Sequence, residues 1–151
     1  MKSLQVITLG CSKNTVDTEH LLSQVKDAWR IVPENEICPV DVLLINTCGF
    51  IESAKKESID AILERCRFGK PVVVTGCLAT RYLKELKEEI PEVAEWIPLE
   101  EYKNFGEHFQ KLVKDRKLTG EIDPTKRRFI SPKREAYLRI SDGCNNFCTF
   151  C

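Results

Sequence analysis

The chain has no net charge: 23 Lys and Arg stand against 23 Asp and Glu in 151 residues. Such a balance supplies no global pull towards nucleic acid or an anionic membrane. Nor does any apolar run approach the roughly 20 residues of a membrane-spanning helix. The start, Met1-Lys2-Ser3 and then a short strand-like run, lacks the architecture of a secretory signal peptide. These absences remove the membrane-embedded and secreted classes from the expectation and leave a cytoplasmic protein with no membrane partner. Structural disulfides are rare in that compartment. The apolar content of 42% and charged content of 30% are those of a soluble domain, and the length suffices for one core.

Cysteine, by contrast, is abundant, with eight in the chain. In a reducing compartment they read as metal ligands or catalytic thiols before disulfides. Three close the chain in Gly143-Cys144-Asn145-Asn146-Phe147-Cys148-Thr149-Phe150-Cys151, a C-x3-C-x2-C spacing that follows a strand-like run from Ala136 to Ile140. Thiolates this close can converge on one metal centre. Structural zinc takes four protein ligands. A cubane iron–sulfur cluster held by three cysteines leaves one iron open to a small-molecule ligand. The spacing differs from the C-x2-C pairs of zinc modules and from the C-x2-C-x2-C run of ferredoxins. A zinc knuckle stands as the bland alternative. The spacing, with the aromatic Phe150 before the last cysteine, resembles the cluster loop of radical S-adenosylmethionine enzymes.

Taken in order, the chain alternates strands with helices. Leu4 to Leu9 reads as a strand. A helix follows from about Thr15, capped by Asn14 or Thr15, with an apolar stripe of Val16, Leu21, Leu22, Val25 and Trp29. A short strand is expected within Ile31 to Pro39. Val40 to Asn46 is a near-continuous apolar run, the pattern of a strand buried on both faces. A helix spans Phe50 to Cys66 with Ile51, Ala54, Ser58, Ile59 and Ile62 inward. Pro71 to Thr75 is a third strong strand, and a helix runs from Ala79 to Ile90. A short strand near Val93 to Ile97 and a helix from Asn104 to Lys114 complete the series. The expected fold is α/β, a doubly wound parallel sheet with helices on both faces over residues 1–116. Residues 117–135 lack periodicity and read as a linker. Between Lys114 and Arg139 there are nine basic and four acidic residues, an excess of five positive charges. That excess suits a solvated connector or contact with an anionic partner. Residues 136–151 read as the start of a further domain.

Three more cysteines sit in equivalent places. Cys11, Cys48 and Cys77 each follow a predicted strand and precede a helix. In a parallel sheet all such loops lie on the carboxyl edge, where these folds bind ligands. Helix N-termini point there too and favour thiolates. The arrangement predicts a second iron–sulfur cluster with three protein ligands; inert buried cysteines are the alternative. Cys38 and Cys66 fall outside both sets and read as structural thiols.

The matching stretches are Leu9-Gly10-Cys11-Ser12-Lys13-Asn14, Asn46-Thr47-Cys48-Gly49-Phe50-Ile51, Thr75-Gly76-Cys77-Leu78 and Ile140-Ser141-Asp142-Gly143-Cys144. Together they resemble the methylthiotransferases among radical S-adenosylmethionine enzymes. The resemblance implies an auxiliary [4Fe-4S] cluster on Cys11, Cys48 and Cys77. It implies a second [4Fe-4S] cluster, which binds S-adenosylmethionine, on Cys144, Cys148 and Cys151. No side chain is assigned a catalytic role. Ser12-Lys13, the run Val16-Asp17-Thr18-Glu19 and the run from Cys48 to Lys55 are similar to the branch that methylthiolates an aspartate β-carbon in small-subunit ribosomal protein S twelve. The tRNA-modifying branch, acting on an adenosine, usually carries Gln-Met in place of Ser12-Lys13. The implied partners are that ribosomal protein or the ribosome, an electron donor and a sulfur source, with a monomer as the default. Residues 136–151 would then begin a partial TIM-like barrel whose remainder is not in the chain, so an N-terminal fragment inactive alone is expected. Readings of another kind are a non-enzymatic zinc or interaction module and an electron-transfer α/β protein.

Overall fold

The β-branched runs form strands, and a computed structural model shows how they pair. It describes residues 2–25, 29–36, 38–113, 125–130, 134–141 and 145–149. Five strands make one parallel sheet: β1 (Lys2–Thr8), β2 (Trp29–Pro33), β3 (Val42–Thr47), β4 (Val72–Gly76) and β5 (Glu95–Ile97), in the order β2-β1-β3-β4-β5. The helices are α1 (Ser12–Val25), α2 (Glu52–Cys66), α3 (Cys77–Arg81), α4 (Leu83–Glu89) and α5 (Phe105–Val113), with a 3-10 turn at Leu99–Asn104 before the last.

Side chains alternate across a strand, and here both faces are covered. Leu4, Val6, Leu44, Val73 and Ile97 pack with Leu21, Leu22, Val25, Phe105 and Phe109 on one side. Ile7, Leu43, Ile45, Val72 and Val74 pack with Ile62, Leu78, Leu86 and Ile90 on the other. The sheet is therefore doubly wound, as its apolar runs predict. All of β3 is buried because helices lie on both of its sides. Among the described residues no helix is long and apolar enough to cross a membrane.

Several boundaries differ from the expectation. The first helix starts at Ser12, so neither Asn14 nor Thr15 caps it. The Asn14 amide instead donates to the carbonyls of Leu9 (2.8 Å) and Thr47 (3.1 Å), tying the ends of β1 and β3 together. Trp29 opens β2 rather than ending the helical stripe, and its ring meets Phe109 edge-on at 5.7 Å. Ile51 is exposed, because it precedes α2 instead of lying on its buried face. The third helix is broken at Tyr82, which turns its ring towards α2, with Lys55 Nζ 4.5 Å from the ring centroid. The run Ala136 to Ile140 forms no strand: among the described residues no strand pairs with it, and Leu138 and Ile140 are exposed.

Candidate functional site

The strand order places the switch in winding direction between β1 and β3. In such sheets the crevice at the carboxyl ends beside that switch is the usual ligand site. Cys11 follows β1, Cys48 follows β3, and Cys77 follows β4, which is the next strand along. Topology thus gathers three cysteines on the loops of three consecutive strands.

The loops are held tightly. Gly10 has φ +91°, and a Cβ built on it would stand 2.6 Å from Cys48 Cβ and 2.9 Å from Cys48 Sγ. The Cys48 amide donates to Ser58 Oγ (3.0 Å), and that hydroxyl donates back to the Cys48 carbonyl (2.8 Å). Below the rim, the Asn46 amide donates to the Asn14 carbonyl (3.0 Å) and Thr18 Oγ1 (2.9 Å). Asn46 Oδ1 is buried without a partner among the described residues. Arg81 Nη1 donates to the Gly49 carbonyl at 3.0 Å. Asn14, Asn46 and Ser58 were not singled out from the sequence as site residues. Asn14 and Asn46 lie within three residues of a rim cysteine, while Ser58 lies ten residues after Cys48, in the second turn of α2.

Cys11 is exposed, Cys48 is buried and Cys77 is half-buried. Burial pushes the Cys77 thiol above its ordinary range. Lys13 opposes that shift, while Cys48, Cys11 and Asp17 add to it. The three thiols thus share one electrostatic neighbourhood. Among the described residues, however, no three His, Cys, Asp or Glu side chains form a group that could hold a metal ion. A cubane offers irons at separate corners, so its ligand sulfurs stand farther apart than those around one ion. The donor chemistry fits that larger group: three cysteines, adjacent glycine, and a helix starting one residue after Cys11. Beside Cys77 a cavity of about 590 Å³ opens between α1 and the 3-10 turn, lined by Lys13, Asp17, His20, Tyr102, Lys103 and Arg139.

Of the terminal set, Cys148 is described and exposed, while Cys144 and Cys151 lie outside the described residues. Cys38 lies 3.4 Å from Arg30 Nη2. Cys66 ends α2, its thiol pushed up by burial and by Glu92. Neither belongs to the rim.

An open parallel α/β domain with a cysteine-lined carboxyl edge is the class that fold and site define. The family model of an uncharacterized protein family, UPF0004, matches residues 3–98, and the chain belongs to that family. Among curated proteins, the chain is 43% identical over 159 residues to a Clostridium kluyveri protein named ribosomal protein uS12 methylthiotransferase RimO. It is 45% identical over 147 residues to a protein of that name from Aquifex aeolicus, and 44% over 160 residues to one from Sulfurihydrogenibium sp.. These alignments cover 97%, 97% and 100% of this chain, and 35%, 32% and 34% of the relatives. The chain therefore spans about a third of the length of the curated relatives it matches.

Proposed function

We propose that this chain is the cysteine-bearing N-terminal part of a radical S-adenosylmethionine methylthiotransferase. Its substrate would be an aspartate of ribosomal protein uS12. The observation that carries the reading is the gathering of Cys11, Cys48 and Cys77 on the ends of three neighbouring strands. The similarity to proteins named uS12 methylthiotransferase supports that choice of substrate protein.

In this reading Cys11, Cys48 and Cys77 hold an auxiliary [4Fe-4S] cluster, and Cys144, Cys148 and Cys151 hold the one that binds S-adenosylmethionine. When bound, these groups supply a radical able to take hydrogen from an unactivated carbon, together with the sulfur and methyl groups to be transferred. The chain's own residues bind and orient. Ser58 fixes the Cys48 backbone, and Asn14 fixes the ends of β1 and β3. Lys13 offsets part of the cost of ionising Cys77, whose proton must leave before the sulfur can ligate a metal. The ribosomal protein or ribosome, an electron donor and a sulfur source are the partners this chemistry requires.

Anaerobic reconstitution with iron and sulfide tests the reading. Bound iron and acid-labile sulfide are expected, in the ratio of a [4Fe-4S] unit. Cys11→Ala, Cys48→Ala and Cys77→Ala should each lose the auxiliary cluster, and Cys38→Ala and Cys66→Ala should keep it. Zinc without sulfide would overturn the reading. The chain without the remaining two thirds of its relatives' length is expected to methylthiolate nothing. With a longer chain, modified aspartate rather than a modified tRNA adenosine is the expected product.

A further inference from the structure

Arg127, Arg128 and Arg139 of the basic connector have partners inside the chain. Glu19 on α1 is fully buried. Its Oε2 accepts from Arg127 through Nε (3.1 Å) and Nη2, and its Oε1 accepts from the Ile130 amide (3.1 Å). The Glu19 carbonyl accepts from the Arg128 amide at 3.0 Å. Asp17, only 5% exposed, accepts from Arg139 Nη1 at Oδ1 and from Lys13 Nζ at Oδ2, both at 2.8 Å. Arg127 Nη1 also donates to the Tyr137 carbonyl (2.6 Å), which links the two described pieces of the connector.

Burying a carboxylate costs several kcal/mol unless charge-assisted hydrogen bonds offset it. A helix facing a loose, solvated connector would have no reason to bury two acids side by side. At Glu19 the offset includes Arg127, 108 positions away, and at Asp17 it is shared between Lys13, four positions away, and Arg139, 122 positions away. The docked segment also ends in a particular place. Tyr137 to Ser141 line a cavity of about 190 Å³ with Ser12, Lys13 and Val16. Ser12 and Lys13 directly follow Cys11, and Ser141 precedes Cys144 by three residues in sequence.

We propose that Asp17 and Glu19 are positioning residues that clamp the basic connector onto α1, so that it leaves the domain at the rim of Cys11, Cys48 and Cys77 and brings Cys148 to that rim. The approach of Cys148 rests on the function proposed above; the clamp itself stands on the ion pairs.

The test uses the whole 151-residue chain without metal. A short bis-maleimide is added and its links are mapped by mass spectrometry. Amide hydrogen exchange is followed in parallel. In the unaltered chain Cys11 is expected to link to Cys148, and the Arg128 and Ile130 amides are expected to be protected. In Glu19→Gln the link yield should fall and those two amides should exchange faster, each by about tenfold, as for a lost buried charge partner. The double variant Arg127→Gln/Arg139→Gln changes only the connector, so it carries the test should α1 fail to fold in the first. Protection of the β3 and β4 amides is the folding control. Absence of the link in the unaltered chain, or link yield and exchange that do not move in the double variant, would overturn the clamp. Because no metal is present, that result is separate from a reconstitution that yields zinc and no sulfide.

Discussion

Gly10 shows how little room the rim leaves at the level of one residue. Its φ of +91° lies where a side chain is strained, and the space a methyl would need is filled by Cys48. Gly10→Ala should therefore do two things. The strained backbone should cost roughly 1–3 kcal/mol, read as a lower urea midpoint. The displaced Cys48 should lower iron loading beyond what the stability loss explains, with Gly69→Ala as the comparison. Gly69 also has positive φ, 63°, but nothing lies within 4 Å of its added carbon. Equal iron loading in the two variants would remove Gly10 from the site. Cys77 carries the other single-residue tension, since burial raises its thiol while Lys13 pulls it back.

Individual elements are joined by polar contacts of a similar kind. Asp41, just before β3, accepts through Oδ2 from the Ser3 amide (2.7 Å) and the Ser3 hydroxyl (2.9 Å) of β1. Those bonds hold its carboxyl below the usual range. A pKa lowered on folding stabilises the folded chain above the unfolded pKa, and that stability is lost as pH falls through the folded value. Denaturation midpoints of the unaltered chain and Asp41→Asn should thus differ at pH 7 and converge in acid. A gap that stays constant to below pH 3 would show that the carboxylate does not link the strands. At this scale much was legible in the sequence. The β-branched runs of β1, β3 and β4 are strands, and their alternation with helices puts three cysteines on one edge. What misled was local. Trp29 continues the helical period in sequence but is pulled into β2 by its packing on Phe109. Asn14 has the chemistry of a cap yet spends its amide on two strand ends. Asp17 and Glu19 stood out only within the run that carries the resemblance, because Arg139 and Arg127, which pair with them, lie beyond any local window.

The molecule as a whole draws its stability from two apolar layers, one on each face of the sheet, and no rim cysteine belongs to either. The chain should consequently fold without iron. Far-UV circular dichroism of the metal-free and reconstituted chains should coincide, with reconstitution raising Tm only through binding to the folded state. A chain unfolded until metal is added, as in zinc-finger peptides, would contradict this. The clamp on α1 carries a further meaning in time. Glu19 and Arg127 are 108 residues apart, and synthesis runs from the N-terminus, with early domains folding as they emerge. The acids of α1 are made, and their helix packed on the sheet, long before the arginines that neutralise them leave the ribosome. For that interval Asp17 keeps its Lys13 partner but lacks Arg139, and Glu19 lacks its bonds from Arg127 and Ile130, beside three free thiols. Docking of the connector thus follows the packing of α1, and the second cysteine set emerges directly after it.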